Sequence, residues 1–181
     1  MTNKHIEALY SDGDAQNQPS LLKSILWLLV KIMIIIGIFI LIFTFIYGIY
    51  QVKDLSMTPA FQEGDIVIFY RINEELAVES VVLLSYQGER QLRRVIAVAG
   101  DTVDINSDGL LINGALWQGK VEGQNTQAYE EGVTFPLTVA EGEVFVLADM
   151  RENATDSRIY GTIQIKDCEG SVFTLIRRRG F

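Results

Sequence analysis

From Leu21 the chain is almost continuously apolar, and the nineteen residues Ile32 to Tyr50 carry no charge. As a helix that window is about 28 Å long, close to the hydrocarbon thickness of a bilayer. Lys31 stands at its edge, where a long stem lets the ammonium reach the headgroups. Trp27 on one side and Tyr47 and Tyr50 on the other bracket it as interfacial aromatics do. The pattern predicts a transmembrane helix within 20–50, with Ser20 after Pro19 as its N-cap. A cleavable signal peptide fits poorly: the preceding tail is long and acidic, and no small-x-small site follows.

Past residue 55 the period falls to two. Ile66–Ile72, Val81–Tyr86, Leu92–Val98, Val103–Ile105, Leu110–Ile112, Val144–Leu147 and Val172–Ile176 are short runs rich in β-branched and aromatic residues. Asn106-Ser107-Asp108-Gly109 and Asn113-Gly114 supply turn chemistry between them. Residues 118–132, rich in Gly, Gln and Glu, read as an exposed loop, and no stretch in this half has a helical period. The expected fold is therefore mostly β: an antiparallel domain over 51–181 on a single N-terminal transmembrane helix, with 1–19 as a polar tail carrying a helical turn around Ile6–Tyr10.

Charge sharpens the division. The chain of 181 residues has net charge −8, and Lys4, Lys23 and Lys31 cancel Glu7, Asp12 and Asp14. The whole acidic excess thus lies in the β domain, which disfavours a nucleic-acid partner. Lys23 and Lys31 ahead of the span, against a Lys53–Asp54 pair beyond it, favour a cytoplasmic N-terminus and an extracytoplasmic domain at the cell membrane. His5 is the only histidine and lies in the tail, so histidine catalysis and most zinc sites are excluded from the domain. Cys168 is single and has no histidine near it, which suits a buried, inert thiol.

Candidate chemistry gathers just after the apolar run, at Asp54-Leu55-Ser56-Met57-Thr58-Pro59, followed by Gly64-Asp65-Ile66-Val67. Taken alone, Ser56 is as consistent with a turn-capping hydroxyl as with a nucleophile. Further along stand Arg93-Arg94-Val95-Ile96 with Gly100-Asp101, then Ala148-Asp149-Met150-Arg151 and Asp156-Ser157-Arg158 with Gly161. In this order and spacing, from Leu55 to Gly161 and with the membrane segment before them, these motifs resemble the bacterial type I signal peptidases. The resemblance implies a signal-peptidase-type β domain and a membrane-anchored serine endopeptidase that removes signal peptides from exported preproteins. It implies no metal and no other cofactor. Ser56 takes the nucleophile's position, and an extended peptide would lie between Asp54, Leu55 and Met57 on one side and Leu92 on the other. Leu55, Met57 and Phe61 suit core or membrane contact equally well.

Two positions depart from the family pattern. The family's lysine, whose neutral amine takes the serine proton, is replaced by Arg93, and a guanidinium stays protonated in proteins. Ala154 stands where the family has a serine that supports that lysine. Lys53, three residues before Ser56, is the least implausible substitute base, while Arg94, Asp149, Asp156 and Arg158 remain as a structural network of charges. Two readings follow. In one, the protein engages signal peptides or preproteins without cutting them, as an assembly or chaperone-like factor in surface-protein or pilus biogenesis with pilin or sortase machinery. In the other it is an active serine endopeptidase with another base. Signal peptides or exported preproteins and membrane lipid are the partners of both.

Overall fold

A computed structural model describes residues 20–72, 75–120, 126–152 and 154–177. The polar tail with its expected turn at Ile6–Tyr10 lies outside the described residues. The chain divides between Ile42 and Phe43 into two units.

The first unit consists of most of helix α1 (Leu21–Phe45), which has no buried residue. It is the one described helix long and apolar enough to cross a membrane. The carbonyl of Ser20 accepts the amides of Lys23 and Ser24, as an N-cap residue's does. The helix ends five residues before the limit expected from hydropathy. Tyr47–Gln51 form a strand, β1, rather than a last helical turn. Hydropathy registers only that Tyr47, Ile49 and Tyr50 are apolar. Tertiary pairing decides their backbone, because Tyr50 is buried in the body's core and Gly48 faces Phe69 across the ladder. A Cβ at Gly48 would run into the Phe69 ring.

The second unit is mostly antiparallel β, as the alternation predicts. Its strands are β1, β2 (Ile66–Tyr70), β3 (Val81–Tyr86), β4 (Glu89–Val98), β5 (Thr102–Asn106), β6 (Gly109–Ile112), β7 (Ala115–Leu116), β8 (Leu137–Thr138), β9 (Glu143–Leu147), β10 (Ile163–Gln164) and β11 (Cys168–Ile176). Seven form a sheet in the order β1-β2-β11-β3-β4-β9-β10, and four form a second sheet, β7-β6-β5-β8. The Asn106–Gly109 turn closes the β5–β6 hairpin, with the Asn106 side chain accepting the Asp108 amide at 2.8 Å. A single helical turn, α2 (Ser157–Tyr160), was not legible from period and is capped by Asp156, whose carboxylate accepts the Arg158 amide.

Three apolar clusters fill the body. One joins Tyr50, Met57, Phe61, Phe69, Leu83 and Leu92. A second lies between the sheets around Ile96, Val103, Phe145 and Leu147. The third surrounds Val82, Val95, Val146 and Cys168. The loop expected to be exposed is in part fastened down: Thr126 is buried, and the Tyr129 ring stacks under the Arg158 guanidinium at 4.6 Å. Gly132 permits the close approach, since any Cβ there would strike the Arg158 carbonyl.

Cys168 is buried, and burial with the adjacent Asp167 pushes its thiol up from 9 to about 11. The folded state therefore keeps this proton at pH values where the unfolded chain has lost it. The contribution to stability is full below about pH 9 and lost as pH rises toward 11. In denaturation across pH 8–11 the stability difference between the natural chain and Cys168→Ala should shrink as pH rises, while the raised tyrosines contribute equally to both. At pH 8, alkylation should be more than tenfold slower in native protein than in denaturant.

Candidate active site

The segment after β1 is a chain of tight turns pinned at both ends. The Val52 amide donates to the Asp65 carbonyl, the Gly64 amide donates to the Val52 carbonyl, and the Met150 amide donates to the Ser56 carbonyl at 2.8 Å. Met57 is wholly buried and Phe61 nearly so, both in the first core cluster. They anchor the turn in that cluster. Leu92 is likewise a core residue at 2% exposure. Leu55, at 55%, is exposed.

Anchored this way, Ser56 faces strand β4, where successive side chains take opposite faces. Gln91 and Arg93 share one face and Arg94 takes the other. The Arg93 guanidinium donates to Ser56 Oγ at 2.8 Å. Its remaining N–H groups reach the Leu92 carbonyl at 2.5 Å, Gln91 Oε1, and the Thr155 carbonyl at 3.0 Å and 2.8 Å. Five N–H groups thus make five bonds to four acceptors, the Thr155 carbonyl taking two, and none of the four is a carboxylate. At 3% exposure the charge is held by dipoles alone.

On its other side Ser56 meets Asp54. The hydroxyl donates to Asp54 Oδ1 at 2.7 Å, and the Ser56 amide donates to the same oxygen at 3.0 Å. The serine is therefore a bridge between a guanidinium and a carboxylate. Its backbone N–H, a group that commonly stabilises the oxyanion in acyl transfer, points at a negative charge instead.

The other possible proton acceptors are poorly placed. Lys53 lines the same groove, of about 540 Å³, but is exposed and makes no hydrogen bond to Ser56. Ala154 lines it too and has no hydroxyl to offer. The Tyr160 hydroxyl is buried without a hydrogen-bond partner among the described residues. Burial raises its pKa, against the opposing charge of Arg93, and keeps it a neutral phenol.

The four remaining charges form two buried pairs. Arg94 grips Asp149 with both arms, at 2.7 Å and 2.5 Å, and donates to the Glu79 carbonyl at 2.9 Å. Burial works against its charge, but the bonds to Asp149 outweigh that and hold the guanidinium above its ordinary range. Arg158 grips Asp156 at 2.9 Å through both arms, while Asp156 also accepts the amides of Ala148 and Arg158. Arg151, buried near both pairs, is pushed down by burial to about 10, against the attraction of Asp156.

Gln91 and Thr155 escaped the sequence reading. The signal for Gln91 was its position two residues before Arg93 on a strand; Thr155 acts through its carbonyl and left no signal. The bond from Ser56 to Asp54 was legible as an aspartate two residues ahead of a hydroxyl, the spacing of a local side-chain turn.

Residues 25–176 match the family model described as signal peptidase, peptidase S26. The chain belongs to that family. It is 28% identical over 145 residues to signal peptidase I of Bacillus caldolyticus, covering 71% of this chain and 78% of that protein. It is 30% identical over 138 residues to signal peptidase I of Bacillus licheniformis, covering 70% and 74%. A crystal structure of a signal peptidase I from Enterococcus faecalis V583 aligns over 56% of this chain and 98% of its own, with 28% identity and a TM-score of 0.45. Within the family, the described geometry of this chain places an arginine and a carboxylate against the serine.

The buried pairs should dominate stability. Asp149→Ala strands the Arg94 charge and is expected to cost about 3–5 kcal/mol, whereas Arg94→Met/Asp149→Leu should recover most of that. Chemical denaturation of the detergent-solubilised chain measures both.

Proposed function

We propose that this protein is a membrane-anchored member of the signal peptidase family that engages the signal peptides of exported preproteins without cleaving them. The observation that carries the reading is the bridged serine. Ser56 Oγ is hydrogen-bonded to a guanidinium that cannot take a proton, and Ser56 N–H is committed to Asp54. The acceptors around Arg93 further suit a guanidinium: Gln91 Oε1 and the Thr155 carbonyl satisfy donors that a lysine ammonium does not have. The groove beside Ser56 stays open, so binding is separable from chemistry. In this reading residues 1–19 are cytoplasmic, the helix crosses the cell membrane once, and the β domain is extracytoplasmic. Its setting is the assembly of surface proteins or pili, where holding an exported chain beside pilin or sortase machinery is useful and cutting it is not.

One observation favours a second reading, an active endopeptidase. Asp54 Oδ1 lies 2.7 Å from Ser56 Oγ and is a proton acceptor in reach. Asp54 would accept that proton as Ser56 Oγ attacks the scissile carbonyl beside the Arg93 cation, and would return it to the amine that departs as the C–N bond breaks.

The detergent-solubilised chain, incubated with a preprotein carrying an Ala-x-Ala site, should produce no cleavage. Its affinity for the signal peptide should change less than about twofold in Ser56→Ala and fall more than tenfold in the groove-filling Ser56→Phe. Cleavage by the natural chain that is lost in Ser56→Ala would overturn the proposal. A further loss of about 100-fold or more in Asp54→Asn would then assign Asp54 as the base. Adding Arg93→Lys and Ala154→Ser should restore cleavage only together with Asp54→Gly, which clears the carboxylate from the Ser56 amide.

A further inference from the structure

Helix α1 carries two positive charges, and no acidic residue lies between Asp14 and Asp54 to balance them. Lys23, Trp27 and Lys31 recur at four-residue spacing and so share a face. With Ser24 and Leu28 they line a groove of about 600 Å³, and the Lys31 ammonium sits 5.8 Å from the centre of the Trp27 ring.

Chain connectivity sets how deep these groups lie. β1 is the outermost strand of its sheet and begins at Tyr47, with only Ile46 between it and the helix end. An open sheet edge is not tolerated in hydrocarbon, so Tyr47 marks the outer limit of the apolar layer. Counting back from Phe45, roughly twenty helical residues fill about 30 Å and reach Leu26. Lys31 then lies about 7 Å inside the hydrocarbon. Trp27 is at its boundary and Lys23 is among the headgroups. An ammonium at that depth reaches outward along its stem and requires an anion where it arrives.

We propose that this face binds an anionic phospholipid of the leaflet on the N-terminal side. Its phosphate would lie between the Lys23 and Lys31 ammoniums, with the Trp27 indole N–H as a further donor at the same depth. A zwitterionic lipid supplies the same phosphate with its own cation attached, so the site should discriminate between the two. The inference rests on the helix spanning the membrane and is independent of whether Ser56 is active.

The test places the full chain in nanodiscs, with Trp117→Phe throughout so that Trp27 is the only fluorescent indole. Among the described residues the Trp117 N–H is buried without a partner, so phenylalanine there breaks no described hydrogen bond. Brominated phosphatidylglycerol and brominated phosphatidylcholine at equal mole fraction then compete to quench Trp27. The anionic lipid should be preferred by about fivefold or more, as expected for a lysine meeting an anionic headgroup. The preference should persist in Lys23→Arg/Lys31→Arg and fall to near unity in Lys23→Gln/Lys31→Gln. Equal quenching of the chain with its lysines intact overturns the proposal and points to a protein carboxylate as the counter-ion; a preference undiminished in the glutamine variant overturns it as well. If the glutamine variant does not insert, the comparison of the two lipids on the lysine form decides alone.

Discussion

A guanidinium taken out of water must have every N–H satisfied, and the active-site region is arranged around meeting that condition at Arg93. Its five bonds reach three stretches of chain: Ser56 on the turn after β1, Gln91 and Leu92 on β4, and Thr155 ahead of α2. Each acceptor is held by something else. Met57 and Phe61 anchor the serine turn in the core, the β3–β4 ladder holds Gln91 and Leu92, and Asp156 caps the turn that follows Thr155. Arg93 therefore ties together segments that a peptidase would need to align, while using the serine as one more acceptor.

Arg93 and Arg94 are adjacent and similarly buried, yet their charges are balanced in opposite ways. Arg94 has a carboxylate partner in bidentate contact, the arrangement that best offsets desolvation. Arg93 has only neutral acceptors, and the Asp54 carboxylate is linked to it through the Ser56 hydroxyl. The strand's alternation produces the difference by sending one side chain to the scaffold and the other to the groove. Removing a carboxylate from the Arg94 side strands a charge, whereas changes around Arg93 alter which dipoles it meets. The scaffold is therefore expected to be more sensitive to single substitutions than the site it supports.

Much of this was legible in the sequence. The two-residue alternation marked β2, β3, β4, β9 and β11 of the seven-stranded sheet but not β1 or β10, and Asn106 to Gly109 marked a hairpin. The helix limit at Phe45 was not legible, because an apolar strand and an apolar helix have the same hydropathy and only the pairing of β1 with β2 separates them. The Arg94–Asp149 pair was expected from the motifs in which the two residues stand, with Asp156 and Arg158 expected in the same network of charges. The burial of Met57 and Leu92 was harder to foresee. Both lie beside the site in sequence, and proximity along the chain does not determine which way a side chain points. The cage around Arg93 was invisible for a similar reason, because backbone carbonyls such as that of Thr155 carry no residue-type signal.

The position of Ser56 has consequences for how its retention is read. A serine in the nucleophile position ordinarily argues for catalysis, because a free hydroxyl there has little else to do. Here it has a structural task, donating to Asp54 and accepting from Arg93, and alanine would break both bonds. The pair is partly solvated, so the loss would be about 1–2 kcal/mol, modest beside the buried ion pairs. Lysine in place of Arg93 would present three donors on a compact ammonium to acceptors spread around a planar fork, leaving some of them unmet. Charge would be conserved and hydrogen bonding would not. An arginine at this position thus gives the serine a structural reason to remain, whether or not the hydroxyl is also used in chemistry.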